Sequence, residues 1–179
     1  MRTIVVPGIG GSGPDHWQSH WERSRPDLVR FAPTSWDEPD LDDWLLALDR
    51  ASDGNASLLI AHSLGCLAAV AWARRHRTLA AGLLLVAPPD PEGPAFPDAA
   101  ASFRAIDLDG SLQTPTLVVA STDDPYASPA RSASFAAAIG AGWIDVGPHG
   151  HLNAESGLGA WSHGRELLEA FSAGARLPG

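Results

Sequence analysis

Six short apolar runs punctuate the chain: Thr3–Pro7, Leu28–Ala32, Ser57–Ala61, Leu83–Ala87, Thr116–Ser121 and Trp143–Val146. Several of them, SLLIA and LLLVA included, are apolar throughout and do not alternate. A strand carries apolar side chains on both faces only when both faces are covered, the condition of a parallel sheet packed between helices. The intervening segments supply those helices. Leu41, Trp44, Leu45 and Leu48 form an i, i+3, i+4, i+7 stripe behind Pro39-Asp40. Ser128-Pro129 opens another helix and Gly140 closes it, and a last helix spans about Ser162 to Ser172. Strand and helix in alternation predict an α/β fold, a compact three-layer sandwich with a mainly parallel sheet of about six strands. With no repeat and no linker, residues 1–179 are expected to form one domain. The one proline-rich stretch, Pro88–Asp98, reads as a surface loop over a sheet edge.

Charge and composition remove several classes of partner. Twelve basic residues, all arginine, face 21 acidic ones for a net charge of -9. Phosphate backbones and anionic membranes are repelled by that balance, so neither nucleic acid nor membrane is an expected partner. No apolar run approaches the ~20 residues that span a bilayer, and Met1 leads straight into a strand, which together predict a cytoplasmic protein. The single cysteine, Cys66, cannot form an internal disulfide and leaves too few thiols for a cysteine-based zinc site. Nothing in the pattern reports an oligomeric state.

The third run leads directly into a helix through Ala61-His62-Ser63-Leu64-Gly65, which fits G-x-S-x-G with alanine in the first small position. A strand that reverses into a helix within about one residue brings its own backbone close, so only Gly or Ala fits two positions either side of the turn. The serine is then lifted clear of the sheet in a strained conformation, with the next N–H, on Leu64, aimed at the same space. The helix behind it is rich in small residues (Cys66, Ala68, Ala69, Ala71, Ala73), which permits close packing. An ordinary helix cap is the alternative reading of Ser63.

A serine hydroxyl attacks a carbonyl only when an imidazole takes its proton and a carboxylate orients that imidazole. In this fold both follow the serine, carboxylate first, each after a later strand. Asp123 and Asp124 follow the fifth run, and His149 and His151 follow the sixth, one loop, helix and strand further on. Asp124 is preferred because it begins the loop proper, with Asp123 as its support. Spacing alone does not separate His149 from His151. His-x-His with no third ligand following argues against a metal. His16, His20, His76 and His163 read as surface or packing residues, and His62 is expected to point away from Ser63.

Taken together, TIVVPGIGGSGPDHWQSHWE, AHSLGCLAAVAWA, STDDPY and GHLNAESGLGAW resemble the small single-domain serine hydrolases of the retinoblastoma-binding protein 9 type, a compact branch of the α/β-hydrolase superfamily. The resemblance runs over nearly the whole chain. It implies Ser63 as nucleophile, Asp124 as acid and His151, in GHLN, as base. It also implies an oxyanion site made by the Leu64 N–H and an N–H in the loop after the first strand, at Ile9. This sequence has Pro7-Gly8 where many relatives have His-Gly. The Leu-x-Cys-x-Glu pocket-protein motif associated with the family's namesake is missing, since Leu64-Gly65-Cys66-Leu67-Ala68 ends without the glutamate, so that partner is not expected.

Gly8-Ile9-Gly10-Gly11-Ser12-Gly13 also spells the dinucleotide fingerprint G-x-G-x-x-G. That reading needs a helix launched within the glycines and a carboxylate at the tip of the second strand, whereas Pro14 follows the last glycine and no carboxylate comes before Asp37. No cofactor is expected. The glycines suit a loop that passes close to a substrate acyl group, and Gly10, His16, Trp17 and Tyr126 are the candidate pocket residues. Trp17 and Trp21, four apart, also read as core. Only Pro88–Pro115 is available for a lid, so the pocket is expected to be shallow and open. The reading is a serine hydrolase of esterase type, cleaving small ester, thioester or amide substrates through an acyl-enzyme. Acyl transfer to an alcohol and a catalytically silent binding module are the alternatives.

Overall fold

The computed structural model describes residues 1–177. Six strands, β1 (Arg2–Val6), β2 (Leu28–Arg30), β3 (Ser57–His62), β4 (Ala80–Val86), β5 (Thr116–Ala120) and β6 (Gly142–Asp145), form one sheet in the order β2-β1-β3-β4-β5-β6. Every neighbouring pair is parallel. Five helices accompany them: α1 (Trp17–Ser24), α2 (Leu41–Ser52), α3 (Leu64–Arg75), α4 (Pro129–Ile139) and α5 (Ser162–Gly174). The fold is the α/β sandwich that the apolar runs require.

Period-2 geometry sorts the strand residues into two cores. On one face Leu59, Ala61, Leu83, Leu85 and Val118 pack with Trp44 and Leu48 of α2, Leu67 and Trp72 of α3, and Ile139 of α4. On the other, Leu58, Ile60, Leu84, Val86 and Val119 pack with Trp17 and Trp21 of α1, Trp161, and Leu168 of α5. All six residues of β3 are buried, so the strand that feeds the Ser63 turn is held from both sides. Helix ends follow their punctuation. Asp40 accepts from the Asp43 N–H to open α2, Ser128 accepts from the Arg131 N–H to open α4, and Gly140 ends α4 in the left-handed region at φ 70°.

Two expectations change. Strand β4 begins at Ala80, three residues before the apolar run, and β2 stops at Arg30, with Phe31 buried directly after it. Pro88–Asp98 does not cover a sheet edge: it leaves β4, an interior strand, and crosses the carboxyl end of the sheet. Pro88, Pro89 and Phe96 are buried along it, and it runs into a 3-10 turn at Asp98–Ala105 whose Phe103 packs edge-on against Trp44. Apolar anchors at Phe96 and Phe103 hold down what composition alone reads as exposed loop. No helix among the described residues is long and apolar enough to cross a membrane.

Candidate active site

The strand order reverses between β1 and β3, and the loops leaving those two strands meet beside Ser63. Ser63 joins β3 to α3 at φ 53°, ψ -129°, a region that L-residues rarely occupy. Gly65 explains how so tight a turn closes. A Cβ there would sit 2.3 Å from the Val6 carbonyl oxygen and 2.5 Å from that of Pro7, so the helix start lies directly on the end of β1. Gly8 has the same function from the other side, where a Cβ would fall 2.8 Å from Ser63 Cβ and 3.2 Å from its Oγ.

Three side chains converge from distant parts of the chain. Ser63 Oγ lies 2.7 Å from His151 Nε2, and His151 Nδ1 lies 3.0 and 2.9 Å from the two carboxylate oxygens of Asp124. The His151 and Asp124 side chains are 9% and 3% exposed, so solvent competes little for these bonds. An ionised carboxylate only accepts, which puts the ring proton on Nδ1 and leaves the Nε2 lone pair toward the serine hydroxyl. That tautomer can take the hydroxyl proton.

The neighbouring residues take supporting positions. Asp124 Oδ1 also accepts from the Tyr126 N–H. Asp123 faces elsewhere: its Oδ1 accepts from the Gly150 N–H at 2.7 Å and from Ser121 Oγ, while Ser121 Oγ accepts from the His149 N–H. The Gly150 amide and the Ser121 hydroxyl hold the Asp123 carboxyl below its ordinary range. Asp123 thus ties the loop after β5 to the loop after β6, and His149 enters that tie through its backbone.

The cleft above Ser63 has a volume of about 370 Å³. Ile9, Gly10, His16, Leu64 and Tyr126 line it together with Ser63 and His151. Leu64 is the first residue of α3 and Ile9 opens a 3-10 turn after β1, so each carries an N–H without an intrahelical partner. The glycines of the first loop carry that short 3-10 turn and do not launch an α-helix, which starts only at Trp17.

Three sequence readings require correction. Trp17 is a core residue: it is 1% exposed, packs on Trp21 and Trp161, and donates from Nε1 to the Leu152 carbonyl. Its helix turns the ring under the cleft, while His16, one residue earlier, lines it. His16 is therefore neither surface nor mere packing. It caps α1 by accepting from the Gln18 N–H at Nδ1, and burial, then Arg30 and His151, lower its pKa to about 4. Nor does His62 point away. It borders the cleft, its ring centroid lies 5.0 Å from that of His151, and its Nε2 donates to the His151 carbonyl at 2.9 Å. Strand alternation stops at the turn, so neighbours in sequence are not on opposite sides there.

Pro89, Pro97, Asn153 and Glu155 also line the cleft and carry no local signal, because their placement depends on how three separate loops meet. Cys66 is fully buried, and burial pushes its thiol well up, out of nucleophile chemistry. Among the described residues no three His, Cys, Asp or Glu side chains come together as metal ligands.

Residues 3–170 match a family model described as serine hydrolase. The chain is similar in structure to a YdeN-like hydrolase from Pectobacterium atrosepticum, with a TM-score of 0.86 and 38% identity over 97% of this chain and 91% of that one. The ydeN gene product of B. subtilis shares the fold at 22% identity, with a TM-score of 0.73 over 97% and 100% of the two chains. So does an esterase domain of a Rhodothermus marinus protein, at 18% identity and TM-score 0.71 over 96% and 85%. No curated protein matches the chain.

Proposed function

Since the chain belongs to the serine hydrolase family, we propose that it hydrolyses small esters, thioesters or amides through Ser63, His151 and Asp124 by way of an acyl-enzyme. One observation carries the reading: the 2.7 Å approach of Ser63 Oγ to an imidazole whose far nitrogen rests on a buried carboxylate. In this mechanism His151 Nε2 takes the hydroxyl proton as Oγ attacks the carbonyl carbon. The Leu64 and Ile9 N–H groups hold the oxyanion, each contributing about 3 kcal/mol at the transition state. Collapse breaks the bond to the leaving group, which receives the proton from His151 Nε2. Water then attacks the acyl carbon while giving a proton to the same nitrogen, the bond to Ser63 Oγ breaks, that oxygen takes the proton back, and the acid leaves. Asp124 keeps the imidazole in the tautomer and orientation that both steps need.

The cleft's volume supports a small acyl group, being at the low end of the ~300–1,000 Å³ range of ligand pockets. Esterase-type neighbours in the fold support an ester as the first substrate to try. A series of p-nitrophenyl esters of rising chain length, assayed on wild type and Ser63→Ala, tests the proposal. The wild type is expected to favour short chains, and the variant to lose at least about three orders of magnitude in kcat. Equal hydrolysis by the variant removes Ser63 from the mechanism. Labelling by a fluorophosphonate separates the enzyme from a silent binding module, because only an activated serine is modified.

A further inference from the structure

The cleft does not end at His151. A second lobe of about 290 Å³ adjoins it and shares four residues with it, Tyr126, His151, Asn153 and Glu155. The two oxyanion amides, on Leu64 and Ile9, line the cleft and not the lobe, while His151 lines both. In acyl transfer the carbonyl oxygen sits on the amides and the leaving group sits beside the imidazole that protonates it. The lobe, bordered by His151 and away from both amides, is the space on offer to a leaving group.

Glu155 is the one carboxylate lining the lobe, which the imidazoles of His149 and His151 also line. No arginine lines either cavity, and the chain contains no lysine. Glu155 stands on the rim common to both, in a 3-10 turn fixed by Asn153, whose Oδ1 accepts from the Glu155 N–H. Its exposed carboxylate has no ion-pair partner among the described residues, unlike Glu92 and Asp90, which share Arg131. Tyr126, the chain's one tyrosine, also lines both cavities, its ring centroid 4.4 Å from that of His151. A carboxylate and an aromatic ring that line one cavity, with no arginine or lysine among its walls, together attract an organic ammonium ion.

We propose that the lobe takes a cationic leaving group: an amino alcohol or diamine whose ammonium sits by Glu155 and Tyr126 while its ester oxygen or amide nitrogen sits by His151. This rests on the hydrolase reading above and deepens it. The acyl C–O or C–N bond breaks, His151 Nε2 delivers the proton, and the ammonium takes no part in the chemistry. The electrostatic attraction lowers KM and leaves kcat nearly alone.

Two acetates of matched shape test this, acetylcholine and 3,3-dimethylbutyl acetate, with p-nitrophenyl acetate as a common reference. Wild type is expected to favour the choline ester by about fivefold in kcat/KM, the size of a solvent-screened charge pair at contact distance, and mainly through KM. Glu155→Gln brings the ratio near one, and added salt shrinks it in wild type. A wild-type ratio of one or less, or a ratio unchanged in Glu155→Gln, overturns the proposal. If both alkyl esters turn over too slowly to compare, inhibition of p-nitrophenyl acetate hydrolysis decides. Choline must then compete several-fold better than 3,3-dimethylbutanol in wild type and not in Glu155→Gln, and equal competition overturns the proposal. Ser63-dependent hydrolysis of p-nitrophenyl acetate keeps the underlying reading intact in either case; its absence removes both.

Discussion

The turn at Ser63 and the loop that carries His151 meet at a 2.7 Å contact, and they are held there by different means. Ser63 is fixed by regular structure. Its N–H donates to the Val86 carbonyl of β4, its carbonyl accepts from the Cys66 N–H of α3, and Gly65 lets that helix rest on β1. His151 belongs to an irregular stretch between β6 and α5 that contains a single 3-10 turn. Side chains from remote segments hold it: Trp17 on the Leu152 carbonyl, His62 on the His151 carbonyl, Trp21 on the Ala160 carbonyl, Asp123 on the Gly150 N–H. Disturbing the first region should cost stability, because sheet and helix must move. Disturbing the second should cost rate, because only the imidazole moves.

Gly65→Val gives that contrast its hardest test. Its Cβ alone would overlap two backbone carbonyl oxygens, and neither β1 nor α3 can yield without loosening the sheet. We expect a loss on the order of 3 kcal/mol or more in urea unfolding, and little soluble protein. A variant within 1 kcal/mol of wild type would mean that the turn tolerates rearrangement and that Ser63 is not fixed by regular structure.

The same contrast separates what the sequence discloses from what it withholds. The turn at Ala61–Gly65 was legible because its requirement is local: small residues at two fixed offsets, between an apolar run and a small-residue helix. The ends of α4 were legible for the same reason, since Ser128 and Gly140 act on their own backbone. Asp124 and His151 were narrowed to two candidates each by chain order, and only the resemblance to known hydrolases chose between the histidines. His62 and Pro88–Asp98 were misread, and Trp17 was left between core and pocket, because their surroundings come from elsewhere. The His62 acceptor lies 89 residues away and the Trp17 acceptor 135, distances over which no periodicity carries information. Glu155 was invisible as a cleft residue for the same reason.

His16 connects the two regions, capping α1 while its ring meets that of His62 edge-on at 4.6 Å. Because Nδ1 accepts the Gln18 N–H, the neutral ring carries its proton on Nε2, a buried atom without a partner. The folded chain refuses a proton at His16 until about pH 4, whereas the unfolded chain takes it up at about 6.5. The unfolded state therefore binds more protons between those values, and stability must fall as pH drops from 6.5 to 4, by up to about 3 kcal/mol from this residue. Burial lowers the His62 pKa too and adds in the same direction. Urea midpoints measured across that window should decline in wild type and decline less in His16→Asn, which keeps a side-chain cap but cannot titrate. A parallel decline in both proteins would remove His16 as the source.

The smallest effect is the one that isolates the second region. His62 donates through Nε2 to the His151 carbonyl, so it acts on the proposed base through the backbone and does not touch the Ser63 hydroxyl. His62→Phe keeps an aromatic ring against His16 and His151 but removes the donor, leaving a buried carbonyl unpaired and the imidazole less well placed. Proton transfer to His151 depends on position to a fraction of an ångström, so kcat should fall about tenfold while KM for a p-nitrophenyl ester stays within about twofold. His62→Gln can still present an N–H to the same carbonyl and should recover most of the loss. A ring that acted only by filling space would give the opposite ranking, with Phe close to wild type and Gln impaired. That ranking would show that regular structure, and not a side-chain brace, sets the position of the base, and the two regions would no longer differ.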